Sequence, residues 1–223
     1  MKAHDCRVYG DLVMDALKSS GLLNHATVVL IGSAARGTQT WRSDVDLLVI
    51  FDGEARLRLR PPSQLHLHQE SRSRFLERLR SGDDYPVWAL RFGVCLHDPS
   101  GWWATLAAEE ERHPHWPNWR HKIGLASKRL AMATSLLDMG DVDAAAEELL
   151  YAASQIARAL LLRRGTFPLS RPELPAQVEP CDPEFASVLK RLLVAEPQPD
   201  QLHVTAAVVA DRLTTMAAAS AAS

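Results

Sequence analysis

The sequence has no apolar run that approaches the roughly 18 residues a membrane-spanning helix requires. Its opening stretch, MKAHDCRVYGDLVMDALKSS, lacks the apolar centre of a secretory signal. Cysteine is scarce: Cys6, Cys95 and Cys181 are the only three in 223 residues. A widely spaced, odd set of that kind does not make a disulfide framework and reads as reduced packing residues. Together these absences lead us to expect a cytoplasmic protein with no membrane partner. An excess of positive charge is also missing. Twenty-five Lys and Arg stand against 27 Asp and Glu, for a formal net charge of −2. A broad, sequence-blind hold on nucleic acid needs a basic surface, so nucleic acid is not an expected partner, although a local basic patch is compatible with that total.

What is present suffices for a folded core. Hydrophobic residues make up 47% and charged residues 23% of the chain, which excludes disorder as the default. The length allows one large domain or two small ones. Val8, Leu12, Val13, Ala16 and Leu17 recur at a helical period, and Gly21 is placed to end that helix. TVVLI (27–31) and DVDLLVIF (44–51) are short apolar runs, read as buried strands. Residues 52–64 form an arginine-rich loop closed by Pro61 and Pro62, and QLHLHQE (64–70) alternates polar and apolar like a third strand. Helices are expected over 71–82, 84–93 and 101–112, with an edge strand at 94–98. HPHWPNW (113–119) breaks the pattern and marks a junction. Beyond it the pattern is helical: two long amphipathic helices meet near Gly140, with Asp141 as N-cap of the second. A proline-rich loop (168–183), two more helices and a frayed AAASAAS tail follow. The expected architecture is an α+β domain with a small mixed sheet (1–112), followed by an antiparallel helical bundle (113–223).

The chemistry concentrates in GSAARGTQTWRSDVD (32–46). Side chains alternate along a strand, so Asp44 and Asp46 share a face, with roughly 7 Å between their Cα atoms. Carboxylates at that spacing converge on one ion or bridge two about 3.5–4 Å apart. Mg²⁺ takes one or two carboxylates and completes its shell with water and phosphate oxygens. Gly32 allows the backbone to turn and approach a ligand, and Ser33 offers a hydroxyl. A helix beginning near Ala34 would turn free N–H groups toward an anion, with Arg36 and Arg42 as nearby cations. The stretch lacks the Lys-Ser/Thr of a P-loop and the inner glycine of a dinucleotide fingerprint.

Gly32, Ser33, Arg36, Gly37, Ser43, Asp44, Asp46, Leu47 and Val49 together form GSxxRGxxxxxSDxDLxV. This resembles the signature of the DNA polymerase β-like nucleotidyltransferase superfamily, and is most similar to the small bacterial members, including aminoglycoside adenylyltransferases and minimal antitoxin-type proteins. The helical half resembles the bundle of kanamycin-nucleotidyltransferase-like and HEPN-like proteins. The resemblance implies Mg²⁺-dependent transfer of a nucleotidyl group, with adenylyl foremost, from ATP or another NTP to a hydroxyl of a small molecule or protein, releasing pyrophosphate. It implies two metal ions held by Asp44 and Asp46 and a triphosphate held by Gly32 and Ser33; Arg36, Arg42 and Ser43 complete the expected nucleotide-binding set. The bundle would shape the acceptor pocket or form a homodimer. The alternative is a catalytically impaired, nucleotide-binding antitoxin-like or regulatory protein that keeps the fold.

Members of this superfamily carry a third carboxylate on the next strand. Here that strand reads LHLHQE, and the expected position falls on His66 or His68. Three readings stay open. Glu70, on the same face, replaces the missing acid; His66 or His68 serves as general base; or the third function is lost. Elsewhere, His113, His115 and His121 read as a hinge, and Trp102-Trp103 as packing of the interdomain seam. Arg72, Arg74, Arg78 and Arg80 read as a solvated helix face. The long helices lack the Arg-to-His spacing of HEPN ribonucleases, which argues against an RNA-cutting role.

Overall fold

The computed structural model describes residues 3–40, 43–194 and 198–221; for residues 3–5 and 219–221 it describes the backbone alone. The chain divides into two compact units, residues 1–117 and 118–223. The dividing point lies within HPHWPNW.

Unit 1 is built on a four-stranded mixed sheet of β1 (Ala26–Ile31), β2 (Val45–Phe51), β3 (Leu65–Ser71) and β4 (Val94–His97), in the order β3-β2-β1-β4. β1 runs antiparallel to β2 and β4, and β2 runs parallel to β3. The two central strands, ATVVLI and VDLLVIF, read as unbroken apolar runs because both sheet faces are covered. Edge strand β3 alternates instead. One face packs against α1 (Ala3–Ser19), whose Val13 and Leu17 join Val28, Leu47, Val49 and Phe51 in a single core. The other face is covered by α3 (Arg72–Arg80) and α4 (Asp84–Phe92), and α5 (Trp102–Arg112) follows β4.

A parallel β2–β3 pair needs a crossover. Residues 52–64 supply it without a helix. Leu57 is buried in the α1-side core, with Ala55 and Leu59 packed beside it. The Leu57 N–H donates to Gln69 Oε1 at 2.8 Å, and Gln69 Nε2 donates to the Leu57 carbonyl at 3.1 Å. One amide side chain of β3 thus takes the place of a neighbouring strand.

Several local expectations change. α1 begins five residues before Val8 and ends at Ser19, and Gly21 (φ 73°) lets Leu22 N–H bond back to the Leu17 carbonyl. Val8 and Leu12, expected on the buried stripe, are exposed. Their period matches the helix, but the sheet meets α1 through Val13 and Leu17. Trp102 and Trp103 pack on Phe75 within unit 1 (ring centroids 5.9 and 5.8 Å). Only Trp103 is fully buried; the Arg72 guanidinium lies 4.8 Å from the Trp102 ring. Of the histidines around the junction, His115 is tied within unit 1: its Nδ1 lies 2.7 Å from the buried Glu110 carboxylate.

Unit 2 is helical: α6 (Trp119–Asp138), α7 (Val142–Arg163), α8 (Leu174–Val178), α9 (Pro183–Val194) and α10 (Pro199–Ala221). α6 and α7 form a helical hairpin around Gly140 (φ 78°), and Asp141 caps α7 by accepting from Ala144 N–H at 3.2 Å. The stretch expected as a proline-rich loop contains a 3₁₀ turn (Arg171–Glu173) and α8. Ser170 and Glu173 form a capping box, and Pro172 and Pro175 sit in first turns, where their missing N–H costs nothing. The expected frayed tail is helical through Ala221, and its last two residues lie outside the described residues. Among the described residues no helix is long and apolar enough to cross a membrane.

Candidate active site

Strand register assembles the site. The antiparallel β1–β2 pair sets Ile31 opposite Asp46, so Gly32, the next residue, arrives beside the Asp46 side chain. Gly32 adopts φ 74°, a left-handed conformation that disfavours side chains. A Cβ on Gly32 would lie 2.3 Å from Asp46 Oδ2. Glycine is therefore required twice, by conformation and by contact. It opens the single turn α2 (Gly32–Ala35), which starts two residues earlier than the expected Ala34.

The parallel β2–β3 pair sets His66 opposite Asp46 and His68 opposite Leu48. His66 bridges the two carboxylates: its Nε2 lies 3.6 Å from Asp44 Oδ2 and its Nδ1 3.5 Å from Asp46 Oδ1. His68 Nε2 lies 3.7 Å from Asp46 Oδ1. All four side chains are partly exposed, so the cluster is reachable from solvent. These separations exceed hydrogen-bond length and leave the carboxylate lone pairs available.

Glu70 has a different place. It pairs with Ile50, four residues along β3 from His66, and its side chain is only 6% exposed. Arg78 Nη1 reaches it at 3.3 Å, and Arg78 Nε binds Asp83 at 2.8 Å. The guanidinium also lies 4.7 Å from the Tyr85 ring centroid. Burial alone would lower the Arg78 pKa, but the hydrogen bond and charge of Asp83, with those of Glu70, outweigh it and the net shift is upward. Burial, then the Glu70 charge, pushes the Tyr85 phenol well above its usual range, so it stays neutral. His68, Gln69, Glu70, Arg74, Arg78 and Tyr85 line a cavity of about 320 Å³ beside the aspartates.

The remaining expected residues are scattered around this centre. Ser33 lies in the α2 turn, where its carbonyl accepts from Thr38 N–H at 3.0 Å. Arg36 packs over Phe92 and Trp88, at 5.3 and 5.8 Å from the ring centroids. Ser43 Oγ accepts from Thr40 N–H at 2.9 Å and shapes the turn into β2. Arg42 lies outside the described residues. Arg78, expected on a solvated helix face, is instead half-buried between Glu70 and Asp83. Tyr85 and Gln69 are the residues sequence reasoning missed, because the groups they meet lie on other elements.

Among the described residues, no three His, Cys, Asp or Glu side chains form a ready-made metal cage. The donor chemistry nevertheless suits a hard divalent ion. Two partly exposed carboxylates beside one imidazole, with no side chain on Gly32 where a Cβ would collide with Asp46 Oδ2, match a cation that takes its other ligands from water and phosphate.

Residues 13–87, from the second half of α1 into α4, match the nucleotidyltransferase domain family. Among solved structures, the chain is similar to a nucleotidyltransferase-like protein from Exiguobacterium sibiricum, at 16% identity and a TM-score of 0.50. The alignment covers 93% of this chain and 75% of that one, a likeness of fold alone. No curated protein matches. The glycine turn, the Asp-x-Asp strand and the sheet that brings them together place residues 13–87 in the DNA polymerase β-like nucleotidyltransferase superfamily.

Proposed function

We propose that the protein transfers a nucleotidyl group, adenylyl foremost, from ATP or another NTP to a hydroxyl of a small molecule or a protein. The observation that carries this is the close fit of a side-chain-free Gly32 against Asp46 Oδ2, with the Asp44 carboxylate beside the same imidazole. Asp44 and Asp46 would hold Mg²⁺, one ion or two. When bound, the metal supplies charge neutralisation on the triphosphate.

The protein's own groups account for the rest. Gly32 lets the chain approach the phosphates closely, and Ser33 offers its hydroxyl beside them. His66 stands between the two aspartates and takes the third role. In the reaction, the acceptor oxygen bonds to the α-phosphorus and the bond to the departing pyrophosphate breaks. The acceptor proton passes to the imidazole of His66. Glu70 is committed to Arg78 and supports the wall of the cavity instead.

The test is incubation with Mg²⁺, labelled ATP and a panel of hydroxyl acceptors, reading pyrophosphate release and label transfer. Turnover that disappears in Asp44→Asn/Asp46→Asn supports the proposal; turnover that survives the double change refutes the site. One observation favours a second reading, a nucleotide-binding antitoxin-like or regulatory protein: the group facing Asp46 across the strands is an imidazole, not a carboxylate. ATP binding without turnover on any acceptor would select it.

A further inference from the structure

The crossover 52–64 carries a feature that nucleotidyl transfer does not use. Arg56, Arg58 and Arg60 alternate with Leu57 and Leu59, and all three arginines are exposed. Among the described residues none of them has an ion-pair or hydrogen-bond partner. Their order is imposed by the fold. Leu57 is buried at 5% exposure, Leu59 packs on the same core, and Gln69 pins the Leu57 backbone by both its N–H and its carbonyl. Pro61 and Pro62 stiffen the exit, and Leu65 N–H closes back on the Pro62 carbonyl at 3.0 Å. With the aliphatic residues turned inward, the arginines are left outward at every second position; an extended backbone sets such residues roughly 6.6 Å apart.

We propose that this ladder is a binding track for the sugar-phosphate backbone of a short single strand of nucleic acid. Each guanidinium offers a planar fork suited to one phosphate, and the regular repeat suits a regularly charged chain. An extended acidic peptide has a similar charge repeat, but peptide recognition relies on free backbone edges and side-chain pockets. Here the Leu57 edge is already occupied by Gln69, the prolines have no N–H, and the residues between the arginines are in the core. The ladder presents repeated charge and nothing that reads side chains. It is also narrow, which fits a net charge of −2: the surrounding surface gives no support to a long polyanion. This site is independent of the reaction proposed above.

Fluorescence anisotropy of the full chain with a labelled 12-nucleotide oligouridylate, titrated between 50 and 200 mM NaCl, tests it. Three phosphate contacts predict a log–log salt slope of about −2, since each contact on a single strand contributes about 0.7. Each single Arg→Gln change at 56, 58 or 60 reduces the slope by one such step, and the triple change removes at least about tenfold in affinity at 50 mM. Arg80→Gln/Arg191→Gln, which removes two exposed arginines elsewhere, leaves both readings unchanged. An unchanged melting temperature shows that the triple variant is folded. Absence of binding by the wild type, equal loss in the control pair, or a poly-glutamate peptide of matched charge binding as tightly would overturn the proposal; the last outcome would assign the ladder to an acidic protein.

Discussion

The two ends of β3 carry ionisable side chains on one face of one strand, yet they stand in opposite conditions. At the near end, His66 and His68 are half exposed, lie 3.5–3.7 Å from two carboxylates, and make no tight bond to them. At the far end, Glu70 is buried and tied to Arg78, which is tied in turn to Asp83. The contrast shows how burial and pairing sort chemistry from support. A carboxylate locked in a guanidinium network has spent its lone pairs on structure, whereas an open cluster keeps its lone pairs for an incoming group. The strand offers an acid of the right type at one end and a place of the right geometry at the other.

Changes at the two ends should therefore separate activity from stability. The largest effect is expected from Asp44→Asn/Asp46→Asn: transfer falls by a factor of about 10³ or more, while the melting temperature holds, because both side chains are partly exposed. Pyrophosphate release and a thermal melt measure the two halves. His66→Ala is next, with kcat down by about 10²–10⁴ and little change in stability. If His66→Ala keeps full activity, the near end loses its claim to the third role. Gly32→Ala should blur the contrast, since its new Cβ collides with Asp46 and the left-handed backbone resists it. We expect a loss of about 1–3 kcal/mol together with most of the activity, read by urea unfolding alongside the assay.

At the far end, Glu70→Gln should destabilise by about 1–2 kcal/mol, discounted for the partial exposure of Arg78, and change kcat less than twofold. A collapse of kcat without unfolding would return Glu70 to the catalytic set. The smallest effect concerns Tyr85. Its folded-state pKa lies above the unfolded value of about 10, so the folded chain holds this proton more tightly. The resulting stabilisation is complete below pH 10 and is lost as pH rises toward the folded value. Tyr85→Phe should flatten the alkaline limb of a stability-versus-pH curve. It should leave neutral stability unchanged, because the hydroxyl is buried without a partner.

Much of the fold was legible where a local pattern carries it. The continuous apolar runs of β1 and β2, the alternation of β3 and the helical periods of α3 to α7 all appear in the structure. What escaped was decided by partners. Val8 and Leu12 have the period of a buried stripe, but the sheet lies against a different arc of α1. The prolines at 172 and 175 signalled a loop, whereas both occupy first turns that tolerate them. In the site, Gly32, Asp44 and Asp46 stood out because the constraint on each is local: a backbone turn, and two side chains on one face. Tyr85, Arg78 and Gln69 carry no such mark, since each acquires its role from a residue on another element.

By itself the sequence determined the glycine turn and the Asp-x-Asp strand, because those requirements are met within a few bonds of backbone geometry. Only the tertiary structure decided that His66, rather than Glu70, faces the aspartates. That choice depends on the register of a parallel pair joined through a non-helical crossover, and shifting β3 by two residues would preserve every side chain's face while changing which one meets Asp46. The same crossover turned an arginine-rich loop into an ordered ladder. Burial of Leu57 and its two bonds to Gln69 fix the backbone, and no composition or period can specify them.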